Sequence, residues 1–352
     1  MKSFLSHIIT LMLFFLTSTV TLSQTGVQNR KFINPNLSER ATTTIDFDMT
    51  MPKFHNGNLY CVNINQQNIT VLGNDGTIKQ KIGQRGAGPG EFQSIVGFSV
   101  EQSGISVIDG AASIITEFNH KGEVLKMYRH NDLITRAIRL GSTPLYLIKP
   151  GNVMQNNQEA FQLVDIDKQT KQSFAATTQL VSQKNSSALA LQSILLDGAF
   201  IKNGDGKIFR VSQRSGEFLA FDEKAGRVLY GRRTVDATIF DKNLPQSSSS
   251  ANDVKTININ LQGARVVNLS AAANSAYLFI LSNAQSPSIK DKAPNITDDR
   301  VIDVYNVHNG DYVFSFMMPK FSGKRVVDIA VNADTLYAVY GNDIVQYKFQ
   351  VP

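Results

Sequence analysis

The sequence predicts an all-β protein, and three observations carry that expectation. Short apolar or alternating runs recur along the chain, separated by Gly, Asn and Asp, which is the pattern of strands and tight turns and not of helices. These runs group in fours, and the group repeats six times. The sixth group ends one strand short, while a strand-like stretch stands unassigned before the first. Together they predict a six-bladed β-propeller of four-stranded antiparallel blades, with residues 42–47 closing the ring by pairing with residues 344–349. Closure matters because an open array of sheets leaves aggregation-prone edges.

The first repeat spans residues 47–83. It has an outer approach through Lys53-Phe54-His55, a turn at Asn56-Gly57-Asn58 and the strand Leu59-Tyr60-Cys61-Val62. Residues 68–72 follow, then an Asp75-Gly76 turn into a last strand; Asp-Gly is a strong hairpin signal because tight hairpins need positive φ. The second repeat, residues 95–128, has the same order, turning at Gly104 and at Lys121-Gly122. The later repeats cover residues 137–174, 195–233, 265–319 and 326–349. Three stretches interrupt them. Residues 175–194 are polar and then Ala/Leu-rich, with room for a short helix. Residues 235–262 contain the flexible run Pro245-Gln246-Ser247-Ser248-Ser249-Ser250, and residues 283–300 carry Pro287 and Pro294. In a ring such insertions project from a face, where they can shape a binding surface.

The chain has 352 residues, a formal net charge of +6 and one cysteine. Residues 1–23 read as a signal peptide: Lys2 is followed by an apolar run over residues 8–16 and by the small residues Thr21 and Ser23 flanking Leu22. Residues 24–40 read as an N-terminal extension and residues 41–352 as the propeller. No cysteine stands by the cleavage point to take a lipid, and no later run is long enough to span a bilayer, so the expected location is secreted or periplasmic. One cysteine excludes an intrachain disulfide and a thiolate zinc site. Cys61 lies in an apolar strand and is expected to be buried and inert. His55, His120, His130 and His308 stand singly, three of them beside turns, and read as solvated turn residues. Asp109, Asp165, Asp197, Asp303 and Asp328 fall at or near strand ends, where they can face a channel or serve turn chemistry. No nucleophile elbow or Ser/His/Asp order is present, so no catalytic residue, metal ligand or cofactor is expected. The cations are spread through Lys79, Lys81 and Arg85, Arg136 and Arg139, Arg232 and Arg233, and Lys290 and Lys292. They read as solvated surface, which together with export argues against nucleic acid.

One motif is specific. Lys81-Ile82-Gly83-Gln84-Arg85-Gly86-Ala87-Gly88-Pro89-Gly90-Glu91-Phe92 joins the first repeat to the second. It lacks the Gly-Lys-Ser/Thr of a phosphate loop, and a strand follows it, not a helix. The structural reading is a linker in which Gly86, Gly88 and Gly90 permit unusual torsions, Pro89 stiffens the crossing, and Phe92 wedges between blades. The run Gly86 to Phe92, with Gly104, Val107-Ile108-Asp109, Phe118 and Gly122, resembles the NHL-repeat family of propellers. The remainder resembles the six-bladed TolB-like propellers of exported bacterial proteins. Ala112 and Ile114 stand where NHL repeats usually carry Asn and Arg, so the resemblance implies the fold and not that family's surface chemistry. The expected function is an exported, non-catalytic, monomeric binding or scaffold protein for a protein, peptide or glycan partner. The alternative, a metal-dependent hydrolase or lyase with its site in the channel, requires several carboxylate, His or Asn groups converging there.

Overall fold

The computed structural model describes residues 29–141, 143–150, 159–176, 197–222, 228–236, 246–251, 254–259, 266–283 and 300–350. No helix occurs among them. Residues 1–23, the short helix expected within 175–194, and Lys290 and Lys292 lie outside the described residues.

Six four-stranded antiparallel sheets form the body. Blade 1 runs Met49–His55, Asn58–Asn63, Asn68–Leu72 and Ile78–Ile82, and blade 2 runs Ile95–Glu101, Gly104–Asp109, Ile114–Phe118 and Val124–Arg129. Blade 3 runs Ile134–Leu140, Leu145–Pro150, Glu159–Asp165 and Thr170–Ala176, and blade 4 runs Gly198–Lys202, Ile208–Ser212, Glu217–Phe221 and Val228–Arg233. Blade 5 runs Asn268–Ala273, Tyr277–Ser282, Arg300–Asn306 and Tyr312–Met318. Blade 6 takes Asp328–Asn332, Thr335–Tyr340 and Asp343–Lys348 from the end of the chain, and its outermost strand, Ser38–Thr44, from the start. The expected closure is therefore present, with a shift. The closing strand starts earlier than residue 42 and pairs Ser38 with Lys348 through Thr44 with Asp343. Ile45 and Phe47, expected within that strand, instead turn inward and pack between blades 6 and 1.

The first strand of every blade is innermost, and these six strands meet one another around the ring. The stretch Lys53-Phe54-His55, expected on the outside, is thus the end of an innermost strand. Each pair of neighbouring blades encloses its own apolar core: Phe92, Phe98 and Val107 between blades 1 and 2, Phe161 and Phe221 between blades 3 and 4, and Phe279 and Tyr340 between blades 5 and 6. Central strands such as Asn68–Leu72 and Gly104–Asp109 are buried on both faces, which explains their near-continuous apolar sequence. Turn chemistry matches the sequence: Asn56 and Gly57 both adopt positive φ, at 45° and 75°, as a tight hairpin requires.

Several solvated-surface expectations are corrected. Arg139 is buried and pairs with Glu117 at 3.0 Å, and Arg136 lies 3.6 Å from Asp197 beside the channel. His130 is buried, its Nδ1 accepting from the Asp132 amide at 3.1 Å. His55 and His120 do not stand singly, because their rings stack 6.4 Å apart. The Pro245 to Ser250 run, expected as flexible, enters a hairpin pairing Gln246–Ala251 with Val254–Ile259. Cys61 is fully buried as expected; burial pushes its thiol pKa up to about 12, which keeps it un-ionised and inert.

The segment before the closing strand is also tied down. Lys31 and Ile33 exchange backbone hydrogen bonds with Ser315 on the outer strand of blade 5, both at 2.9 Å. Arg30 reaches inward from it. Its Nε donates to Asp303 Oδ1 at 2.8 Å, and its Nη2 donates to Asp303 Oδ2 at 3.0 Å and to Ser282 Oγ at 3.1 Å. Asp236 lies 3.9 Å from the same guanidinium.

Candidate functional site

The ring has two unlike faces. Each blade is a meander whose inner strand descends from one face, the starting face, to the other, the ending face. The turns between second and third strands, and the links from blade to blade, therefore emerge on the starting face. The strand ends that flank the long connections all lie there: Pro150 and Glu159, Ala176 and Gly198, Arg233 and Asn268, and Ser282 and Arg300. The ending face carries tight turns such as Asn56-Gly57 and the one from Asn332 to Thr335. The strand ends on either side of the insertions seen in the sequence thus share one face.

Between the faces runs a central channel with a cavity of about 800 Å³ lined by all six inner strands. Small residues widen it: Gly97, Ala137, Ala199, Ala271 to Ala273 and Ala330 are all in its wall. A side chain at Gly97 would meet the Ala137 carbonyl oxygen at 2.9 Å, so glycine there reflects close approach of blades 2 and 3.

Polar groups cluster at each end. Near the starting face, Asp328 of blade 6 accepts hydrogen bonds from the Met51 amide at 2.9 Å and Thr50 Oγ1 at 3.3 Å, both in blade 1, and also from Ser270 Oγ of blade 5. Its burial raises its pKa, against these donors. The contact holds a bulge in the inner strand of blade 1, where Met51 has φ 55° ahead of Pro52. Positive φ at a non-glycine residue costs conformational energy that surrounding structure must offset, and here the carboxylate supplies that restraint. Close to the same end, Lys149 of blade 3 is buried beside Asp197, Arg136 and Arg210, and burial lowers its amine pKa to about 8.

At the ending face, Glu101 of blade 2 and Lys202 of blade 4 pair at 2.8 Å. These blades are not neighbours, so the pair reaches across the channel mouth in front of blade 3. Lys53 lies beside it, its amine donating to the Phe98 carbonyl at 2.6 Å and sitting 4.9 Å from the centre of the Phe98 ring. Desolvation lowers the Lys53 pKa to about 8, with Glu101 opposing and Lys202 adding to the shift. The turns Asn203 to Gly206, Asn274-Ser275 and Asn332-Ala333 line the cavity at this same ending-face mouth.

The residues singled out in the sequence mostly build the linker and not the channel. Glu91 folds back on the glycine loop. Its Oε2 accepts from the Ala87 and Gly88 amides at 3.0 and 2.8 Å, and its Oε1 accepts from Gln84 Nε2 at 2.7 Å. The Gln84 amide and these backbone donors hold its carboxyl below the usual carboxylate range. A backbone cradle of the kind that binds phosphate is thus filled by the chain's own carboxylate. Gly86 fits because a side chain there would strike Glu91, and Pro89 and Gly90 complete the crossing. Phe92 is fully buried between blades 1 and 2, with its ring 6.0 Å from Phe118. Asp109 is buried at the end of its strand and accepts from the amides of Gln93, Ser94, Ala111 and Ala112 at 2.7 to 3.2 Å, clamping the linker's end to blade 2. Of the other aspartates expected at or near strand ends, Asp328 lines the channel and Asp165 caps the turn at Asp167 and Lys168, whereas Asp303 stands in the middle of Arg300–Asn306 and binds Arg30. Lys53, His55, Glu101 and Lys202 were missed by sequence reasoning. The one available signal was charged residues ending first strands, and the outer placement of Lys53 to His55 hid it. Among the described residues, no three His, Cys, Asp or Glu side chains stand together as a metal site.

Comparison with known proteins agrees with this architecture. Residues 48–213, blades 1 to 3 and the first half of blade 4, match the family model DUF5128, described as a 6-bladed beta-propeller. The chain resembles a Bacteroides fragilis protein described as exported, at 12% identity and a TM-score of 0.54, over 92% of this chain and 95% of that one. It also resembles a DUF4221 family member from Bacteroides vulgatus, at 11% identity and a TM-score of 0.56, over 92% of this chain and 99% of that one. No curated protein matches the chain. At these identities the likeness carries the six-bladed fold.

Proposed function

We propose that the protein is an exported, non-catalytic binding propeller that takes a small ligand, or the end of a larger one, into its central channel. The observation that carries this reading is the cavity of about 800 Å³ lined by all six blades, with the Glu101–Lys202 pair in its wall. That volume is within the range of ligand pockets, and its wall combines apolar surface with a few convergent polar groups. Export is supported by the leader-like residues 1–23, and the description of the Bacteroides fragilis relative points the same way. The finer kinship, with NHL-repeat and TolB-like propellers, is supported by the linker from Gly86 to Phe92.

Alanine-methyl NMR tests the reading. Ala271, Ala272, Ala273 and Ala330 line the channel, whereas Ala338 is buried in the core between blades 5 and 6. A screen of small organic acids, amides and sugars is expected to yield compounds that move the channel methyls and leave Ala338 still. Shifts confined to residues outside the channel, or none at all, would overturn it.

A further inference from the structure

The niche between blades 1 and 2 at the ending-face end of the channel sets a lysine beside a histidine whose ring nitrogen has no partner among the described residues. Lys53 and His55 stand two residues apart on one strand, so they share the face directed at blade 2. The Lys53 amine has the Phe98 carbonyl and ring as its partners, and among the described residues no carboxylate lies within ion-pair distance of it. His55 Nε2 is buried with no hydrogen-bond partner, and its ring stacks on His120. Glu101 is already engaged by Lys202. Asp205, the other carboxylate at this mouth, sits exposed on a turn and acts on Lys207. A half-buried ammonium whose electrostatic partner Glu101 is held by Lys202, and a buried ring nitrogen with no partner among the described residues, are both stabilised by one anionic group placed between them, the imidazole presenting Nε2–H to it. The channel leading there is walled by alanines together with Ile201 and Val331. An occupant with an apolar body and an acidic head fits that sequence of surfaces.

We propose that this niche is a carboxylate-binding site, in which an organic acid entering the channel sets its carboxylate between the Lys53 ammonium and His55 Nε2–H, with its apolar part against the alanine wall. This rests on the reading of the channel as a ligand site and names the class of ligand.

The test is a titration of the full chain with hexanoate at fixed ionic strength, read by the same alanine methyls and by calorimetry, with hexanamide as neutral control. Saturable binding of hexanoate is expected, with hexanamide much weaker. Lys53→Met should weaken hexanoate by about 10-fold or more, the scale of a lost charged hydrogen bond. Lys53→Arg, which keeps the charge, should retain most of the affinity and guards against a simple folding defect. His55→Phe should weaken it by a smaller factor. Equal binding of hexanoate and hexanamide, or hexanoate binding unchanged in Lys53→Met, would overturn the carboxylate site while leaving the channel reading intact. Failure of hexanoate to saturate in the tens of millimolar while other compounds still move the channel methyls would do the same. Channel methyls silent towards every compound would overturn the channel reading as well.

Discussion

Arg30 shows how much one residue outside the repeats can contribute. Its guanidinium is enclosed by Asp303, Asp236 and Ser282 and fully removed from solvent. A buried ion pair is a weak net contributor against a well-packed apolar substitute, but removing one partner strands the other. Arg30→Ala leaves two buried aspartates facing each other and should cost about 3–5 kcal/mol, read as a lower denaturant midpoint. An unchanged midpoint would show that the carboxylates find other partners. Phe92 is the apolar counterpart. It fills the seam between blades 1 and 2, so Phe92→Ala should cost about 3–5 kcal/mol by the same measurement. Phe92 was legible from its place after the glycine run. Arg30 was not, because nothing in its local sequence reports two aspartates more than 200 residues away.

At the scale of elements, the linker from blade 1 to blade 2 is held by mutual fit. Gly83 has φ +74°, and a Cβ there would come within 2.3 Å of the Phe92 ring. Gly83→Ala therefore meets both an unfavourable torsion and a clash, and should destabilise by about 1–3 kcal/mol, seen as a drop in thermal midpoint. A neutral outcome would mean that Phe92 moves aside at little cost. The linker was readable because glycine, proline and a following aromatic are local signals. Strand order and blade number were readable for a related reason: each blade is built from contiguous chain, so alternation and turn residues report it directly. The channel was much less so. Its polar residues come from all six blades, and their meeting depends on ring closure, which no local pattern encodes. Lys53 to His55 lies in a strand interrupted by the bulge at Met51 and Pro52, and the broken alternation there concealed an innermost strand.

For the whole molecule, the channel leaves a mark on the pH dependence of stability. Lys53 and Lys149 are both held near pKa 8 in the folded ring, below the ordinary lysine value of 10.5. Between those values the unfolded chain binds protons that the folded one has shed, so stability rises with pH across that window. The contribution is expressed fully only above the unfolded value and is absent below about 8. Lys53 keeps partial access to channel solvent, which reduces its share, and a combined rise of about 1–3 kcal/mol is expected from the two lysines. The tyrosines work in the opposite sense further up: burial raises the phenols of Tyr146 and Tyr340, so the folded state retains protons that the unfolded chain loses above about 10, and stability falls there. The denaturant midpoint should therefore climb from about pH 8 towards about 10 and then decline. Lys53→Met combined with Lys149→Met should flatten the climb and leave the decline. A wild-type profile flat through that range would show that both ammonium groups are already compensated, and would count against an unsatisfied cation at the base of the channel. A carboxylate bound there supplies the missing counter-ion, raises the Lys53 pKa and should flatten the same part of the curve, so ligand and mutation are expected to act alike on stability and oppositely on the charge of the niche.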